Sequence, residues 1–167
     1  EVAFLDIYSD AIDVDTGTGS LQTIKFNNIK NDAIDFSNSD VTATNLSFIN
    51  VGDKMVSAGE NSTIKLNKIV GKNSYIGIAS KDGSITLVED INLENVLIPY
   101  ASYQKKKLYK PGSLKINNQI TKNFLTIYLK DKNSKIEIDN DRMQRSNNKF
   151  FEIIYKKNLE HLTNYKL

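Results

Sequence analysis

Ile12, Ile34, Val56, Ile78 and Tyr100 follow one another at intervals of 22 residues. Around each of them apolar and polar residues alternate. Ile12 and Val14 flank Asp13, Ile34 and Phe36 flank Asp35, and Val56-Ser57-Ala58 and Ile78-Ala79-Ser80 keep the same order. Period-two alternation sends successive side chains to opposite faces of a strand, so each stretch predicts a strand with one buried side. A second strand follows a polar turn at Val41-Thr42-Ala43, Ile64-Lys65-Leu66, Ile85-Thr86-Leu87 and Leu114-Lys115-Ile116, with Ser39, Ser62, Ser84 and Ser113 in the turns. A third is Ile24-Lys25-Phe26, Leu46-Ser47-Phe48, Ile69-Val70 and Ile91-Asn92-Leu93, after which Asn28, Asn50, Asn73 and Asn95 recur. Asn tolerates left-handed backbone, which suits tight corners.

Three short strands and three turns in 22 residues describe one lap of a β-helix. A lap cannot bury its apolar side alone, but laps stacked about 4.8 Å apart bury a continuous column. The backbone of each lap then pairs with the next in parallel, and the general preference of parallel crossovers selects a right-handed coil. A helical repeat does not fit, because Thr, Ile, Val, Asn and Ser dominate where Ala, Leu and Glu would be expected. The expected fold is all-β: a right-handed, single-stranded parallel β-helix of about five rungs over 1–118.

The period breaks after Tyr103. The lap from Ser84 to Ser113 is seven residues longer than the preceding 22, and the excess holds Gln104-Lys105-Lys106-Lys107-Leu108-Tyr109-Lys110-Pro111-Gly112. Insertions in repeat arrays map to loops, often on a binding face. Segments 124–130 and 135–139 alternate around a polar turn and predict a hairpin. Phe151, Tyr155, Leu159 and Leu162 predict an amphipathic helix over about 149–165. Residues 119–167 therefore read as a C-terminal cap that covers the open sheet edge of the last rung; the alternative is a helix that docks a neighbouring domain.

Several phrases strengthen this reading: the 22-residue rungs, the Asn after the third strand, Asp-Ala-Ile-Asp at 32–35, Gly-Asp-Lys-Met-Val-Ser at 52–57 and Ile-Gly-Ile-Ala-Ser-Lys at 76–81. In them the chain resembles the right-handed parallel β-helix, pectate-lyase-like superfamily over roughly 5–118. The resemblance implies a surface that contacts polysaccharide, in a secreted or cell-envelope protein. It does not imply catalysis.

Composition adds limits. The 167 residues suffice for one domain and contain no Cys, hence no disulfide framework or thiolate chemistry. There is no apolar run long enough for a membrane span. The chain opens on Glu1 without a targeting signal and reads as a processed chain or a fragment. Its net charge of +2 hides an asymmetry: residues 1–98 hold 7 Lys/Arg against 14 Asp/Glu, and residues 99–167 hold 15 against 6. An acidic body with a basic end suits different partners at the two ends.

Three groups carry candidate chemistry. Asp13 and Asp35 share an outward ladder position, and Asp10 and Asp32 pair in the same way. Stacked carboxylates about 5 Å apart repel unless a cation relieves them, and hard oxygen ligands suit Ca²⁺. The other reading of Asp10, Asp13, Asp32 and Asp35 is a solvated acidic ladder, partly neutralised by Lys54. Glu60, Lys81, Asp82, Tyr103, Gln104 and Lys105 form a second group, a mixed polar cluster where a sugar would bind. A lyase acting on uronic acids needs a cation and a base. Lyases of this fold supply Ca²⁺-binding Asp residues and an Arg base, whereas both Arg here, Arg142 and Arg145, lie in the cap. Lys54 or Lys81 would have to serve, with a pKa lowered by burial, near Asp35. The basic loop at 105–110 forms the third group, with Tyr103 and Tyr109 interleaved, a composition that contacts anionic polymers. His161 falls in the terminal helix and reads as surface or packing.

The sequence thus points to a non-catalytic β-helix module of a cell-surface or secreted protein that contacts polysaccharide or acts as a spacer. Its expected partners are polysaccharide and neighbouring domains, not nucleic acid. The alternative is a polysaccharide lyase or glycoside hydrolase acting on acidic glycans.

Overall fold

A computed structural model describes residues 1–147 and 150–155. The described chain is a parallel β-solenoid of about six turns. Its strands are β1 (Val2–Ile7), β2 (Ile12–Asp15), β3 (Thr18–Ile29), β4 (Ile34–Ser37), β5 (Asp40–Val51), β6 (Lys54–Gly59), β7 (Thr63–Lys81), β8 (Ile85–Tyr103), β9 (Ser113–Lys122), β10 (Tyr128–Lys130), β11 (Lys135–Ile138) and β12 (Asp141–Arg142), followed by the helix α1 (Phe150–Tyr155). The longest strands, β7 and β8, bend around the corners and serve more than one face.

Three stacked faces result. Face A joins Ile12, Ile34, Val56, Ile78, Tyr100 and Tyr128 in one column. Face B stacks Thr18, Asp40, Thr63, Ile85, Ser113 and Lys135. Face C stacks Val2, Ile24, Leu46, Ile69, Ile91 and Gln119. The 22-residue period thus becomes vertical neighbourhood in space.

The corners explain the abundance of Asn. Each lap turns through residues with positive φ. Between faces C and A these are Asp6, Asn28, Asn50, Asn73, Asn95 and Asn123, with φ from 51° to 58°. Between B and C they are Thr23, Asn45, Lys68, Asp90, Asn118 and Asn140. Left-handed backbone crowds Cβ, and Asn bears this better than other side chains. The Asn side chains also bond vertically: Asn50 Nδ2 donates to Asn28 Oδ1 at 2.9 Å and Asn95 Nδ2 to Asn73 Oδ1 at 3.0 Å. Inside the corner between A and B the Ser39 amide donates to Ser62 Oγ at 3.1 Å, and the Ser62 amide to Ser84 Oγ at 3.2 Å.

The core is a stack of inward ladders. Phe4, Phe26 and Phe48 lie ring on ring, with centroids 5.4 and 4.9 Å apart. The next lap places Gly71 in that column, and Met55 fills the space a side chain would take. Gly77 is tighter. A Cβ there would fall on the Pro99 carbonyl oxygen of the next lap, which is backbone and cannot swing aside. Gly77→Ala is therefore expected to cost about 1–3 kcal/mol, the range for overpacking a filled interior. A shift of the urea midpoint reads this directly, and an unchanged midpoint would contradict it.

Two sequence expectations are corrected. Segments 124–130 and 135–139 do not form a hairpin with each other. β10 pairs in parallel with β8, and β11 with β9, so the coil runs a sixth lap past 118. Their alternation is the inward–outward alternation of that lap, which a hairpin shares. The one antiparallel pairing among the described residues is β11 with β12, through Glu137–Arg142 and Ile138–Asp141. The long lap is offset by 28 residues at Ile85–Ser113 and Tyr100–Tyr128, so the insertion is six residues rather than seven.

The described part of the helix lies on the flank of the coil. Phe150 and Ile154 pack on Tyr75, Ile76, Ala79, Ile98, Ala101, Tyr103 and Leu129, which form the outer side of face A. α1 is a strap there, and its contacts reach the last lap at Leu129. The rest of the expected helix, with His161, lies outside the described residues.

Candidate functional site

The outer side of face A has two columns. One runs Asp13, Asp35, Ser57, Ala79, Ala101, Leu129, and the other ends in Lys81 and Tyr103. The face thus passes from acidic in the first laps to apolar in the last ones, and α1 occupies the apolar part.

Asp32, Asp53 and Lys54 are buried at the boundary, with relative exposures of 5, 8 and 5%. Lys54 Nζ lies 3.2 Å from Asp32 Oδ1 and 3.0 Å from Asp53 Oδ2. Two carboxylates share one ammonium. Burial, together with Asp53 and Asp35 nearby, outweighs the pull of Lys54 and pushes Asp32 up to about 6. Burial alone would lower Lys54, but Asp32 and Asp53 hold it above the ordinary lysine value. The direction is opposite to the lowered pKa expected of a lysine base at Lys54. Lys81 Nζ stands 3.5 Å from Asp35 Oδ1, reaching back over Gly59, where a Cβ would meet Lys81 Cε at 2.7 Å.

Of the four aspartates expected to hold Ca²⁺, Asp10 and Asp32 accept backbone amides and Asp35 pairs with Lys81. Asp10 Oδ1 accepts the Asp32 amide at 2.8 Å and Asn31 Nδ2 at 2.7 Å. Asp32 Oδ1 accepts the Lys54 amide at 3.0 Å. The corner Asp of one lap thus caps the backbone of the next. Asp13 and Asp35 do stack in register, and burial together with Asp15, Asp35 and Asp10 raises Asp13. Among the described residues no three His, Cys, Asp or Glu side chains are grouped to hold a metal ion.

The second group does gather at one corner, where it anchors the basic loop. Asp82 Oδ1 accepts the amides of Lys105 and Lys106, both at 2.7 Å. Asp131 Oδ2 accepts the Gln104 amide at 2.7 Å, and Gln104 Nε2 donates to the Tyr109 carbonyl at 2.5 Å. Lys106 pairs with Glu60, which also accepts Ser37 Oγ at 2.8 Å. Burial would raise Glu60, but Lys106, Ser37 and Lys81 together bring it below the ordinary carboxylate value. Tyr103 is fully buried against Phe150, centroids 4.8 Å apart, and burial pushes its hydroxyl well above the ordinary tyrosine value. A ring closed over in this way offers no face to a sugar. Lys105 stays exposed, its Nζ 5.3 Å from the Tyr155 ring centroid.

A different surface is open. At the corner between faces B and C runs a shallow groove of about 620 Å³ along Asn45, Lys68, Val70, Asp90, Asn92, Asn118, Gln119 and Ile120. Val70 and Ile120 are 43 and 56% exposed. They belong to the outward column Lys25, Ser47, Val70, Asn92, Ile120. Asn118 Nδ2 donates to Asp90 Oδ1 at 3.2 Å, and Gln119 Oε1 is shielded without a hydrogen-bond partner among the described residues. The groove thus offers an apolar floor edged by amides, the pairing of apolar lining with a few polar groups that ligand sites use. The sequence carried a signal for it, since two aliphatics fall at outward positions of one ladder.

No protein-family model matches the chain, and no curated protein or solved structure shows significant similarity to it. What the fold and this surface define is a class, a parallel β-solenoid of about six turns with polar ladders on its open faces.

Proposed function

We propose that this chain is a non-catalytic β-solenoid module that contacts polysaccharide, wound right-handed as parallel crossovers generally are and working in a secreted or cell-envelope protein beside neighbouring domains. The observation that carries the reading is the groove at the corner of faces B and C, where Val70 and Ile120 are exposed between Asn45, Asn92 and Asn118. The charged groups that lyase or hydrolase chemistry would recruit support it from the other side. Lys54, Asp32, Glu60 and Asp82 are engaged in pairing laps and anchoring a loop, and α1 lies over the apolar part of face A.

Titrating the chain with neutral and acidic polysaccharides by calorimetry is expected to show binding. The double variant Asn92→Ala, Ile120→Ala is expected to weaken it about tenfold, the effect of losing roughly one hydrogen bond and one apolar contact. Both side chains are solvent-facing, so the fold should survive, which circular dichroism checks. Unchanged affinity in the double variant would remove the groove from the reading. New unsaturated sugar ends on incubation with pectate or alginate, with or without Ca²⁺, would replace the reading with the lyase alternative.

A further inference from the structure

We propose that the N-terminal end of the solenoid is a docking surface for a further parallel β-coil of the same 22-residue type. The two ends of the stack are built differently. At the C-terminal end the inward columns of face C turn polar, while those of face B stay apolar at Ile136 and Ile138: Gln119 follows Ile91, Thr121 follows Leu93, and Tyr100 Oη lies 3.2 Å from Thr121 Oγ1. β12 folds back antiparallel beside β11. Both are features of a terminus made to meet water.

Among the described residues the N-terminal end has neither. Phe4, Ile12, Val14 and Leu21 are only partly buried, whereas their successors Phe26, Ile34, Phe36 and Ala43 are at most 1% exposed. Val2 is 52% exposed although its column is the one that buries Leu46 and Ile69. Among the described residues β1 pairs only with β3, β2 only with β4, and residues 18–22 only with β5, so three strand edges have no described neighbour around an apolar centre. An open edge over exposed apolar residues is an association surface.

The occupant follows from continuity with the interface between laps. Each lap accepts the next in parallel, ring upon ring at Phe4, Phe26 and Phe48, and the free face of Phe4 offers that contact once more. The first lap carries Glu1, Asp6, Asp10, Asp13 and Asp15, with no Lys or Arg before Lys25. Two such rims facing each other would repel, which disfavours a head-to-head second copy. A coil with apolar inward residues and neutral or basic corners satisfies both the centre and the rim.

The test adds one lap to the full chain. Residues 23–44 stand directly below residues 1–22 in register, so a copy of 23–44 is fused ahead of Glu1. Hydrogen exchange is expected to slow at least tenfold in β1, β2 and residues 18–22, and the added lap is expected to become protected itself. The same fusion with Ile34→Lys and Phe36→Lys in the copied lap is expected to show neither effect. If the first fusion leaves exchange in β1–β3 unchanged, or the lysine-bearing fusion protects them equally, the proposal falls. Concentration-dependent dimers of the unextended chain that protect β1–β3 would give the face to a second copy and overturn the occupant named here. None of these results depends on glycan binding.

Discussion

Lys54→Ala is expected to destabilise the chain by about 3–5 kcal/mol at pH 7, the usual cost of removing one partner from a buried ion pair. The variant takes away the ammonium that Asp32 and Asp53 share, and both carboxylates are under a tenth exposed. The defect should shrink as pH falls, because protonation of Asp32 removes one of the buried charges. The parent chain carries the same sign at smaller size. Asp32 stands at about 6 in the folded state against an ordinary 3.8. Between those values the folded chain holds a proton that the unfolded chain has released. The Asp32 contribution to stability is therefore greatest below about pH 4, declines as pH rises to about 6 and is flat above. The total change is roughly 3 kcal/mol, from the linkage of pKa to stability. Urea unfolding at pH 5 and pH 7.5 measures both effects. A Lys54→Ala cost below about 1 kcal/mol, or one equal at the two pH values, would show that the triad is not electrostatically coupled as described.

Phe150→Ala has the second large expected effect. Phe150 is 2% exposed and rests on Tyr103, while Tyr75 Oη donates to the Ile153 carbonyl at 2.6 Å and Tyr155 Oη to Tyr103 Oη at 3.4 Å. Truncating a buried Phe costs about 3–5 kcal/mol. A one- to two-turn helix has little stability of its own. The loss is therefore expected to fall on docking rather than on the coil: α1 detaches, and Tyr75, Ile98, Ala101 and Leu129 meet water. Dye binding to exposed apolar surface should rise and exchange in residues 98–103 should quicken, while the inward columns under Phe26 and Phe48 keep their protection. Global unfolding at the same denaturant concentration as the parent, with no new dye binding, would show that the strap contributes little.

Much of the architecture was legible because a solenoid turns sequence period into spatial neighbourhood. Ile12, Ile34, Val56, Ile78 and Tyr100 needed no long-range information to be placed in one column, since each lap repeats the geometry of the last. The serines at 39, 62 and 84 and the asparagines at 28, 50, 73 and 95 were legible for the same reason. The sixth lap was not, because Tyr128 follows Tyr100 after 28 residues, and a broken period leaves only local alternation, which a hairpin shares.

The candidate chemistry was less legible. Register brought Glu60, Asp82, Gln104 and Lys105 to one corner, but which atoms they touch depends on how the loop at 104–112 folds back over that corner. Asp82 turns out to hold two backbone amides.

The sequence by itself determined the lap length, the inward columns and the corners, because each depends on φ preference and on side-chain parity within a few residues. Only the tertiary structure decided that α1 lies along face A and closes over Tyr103, that Lys54 joins two buried carboxylates, and that the open groove runs between Val70 and Ile120. Those outcomes depend on which outward surface is apolar enough to take a helix from the far end of the chain, a sum over several laps that no single segment encodes.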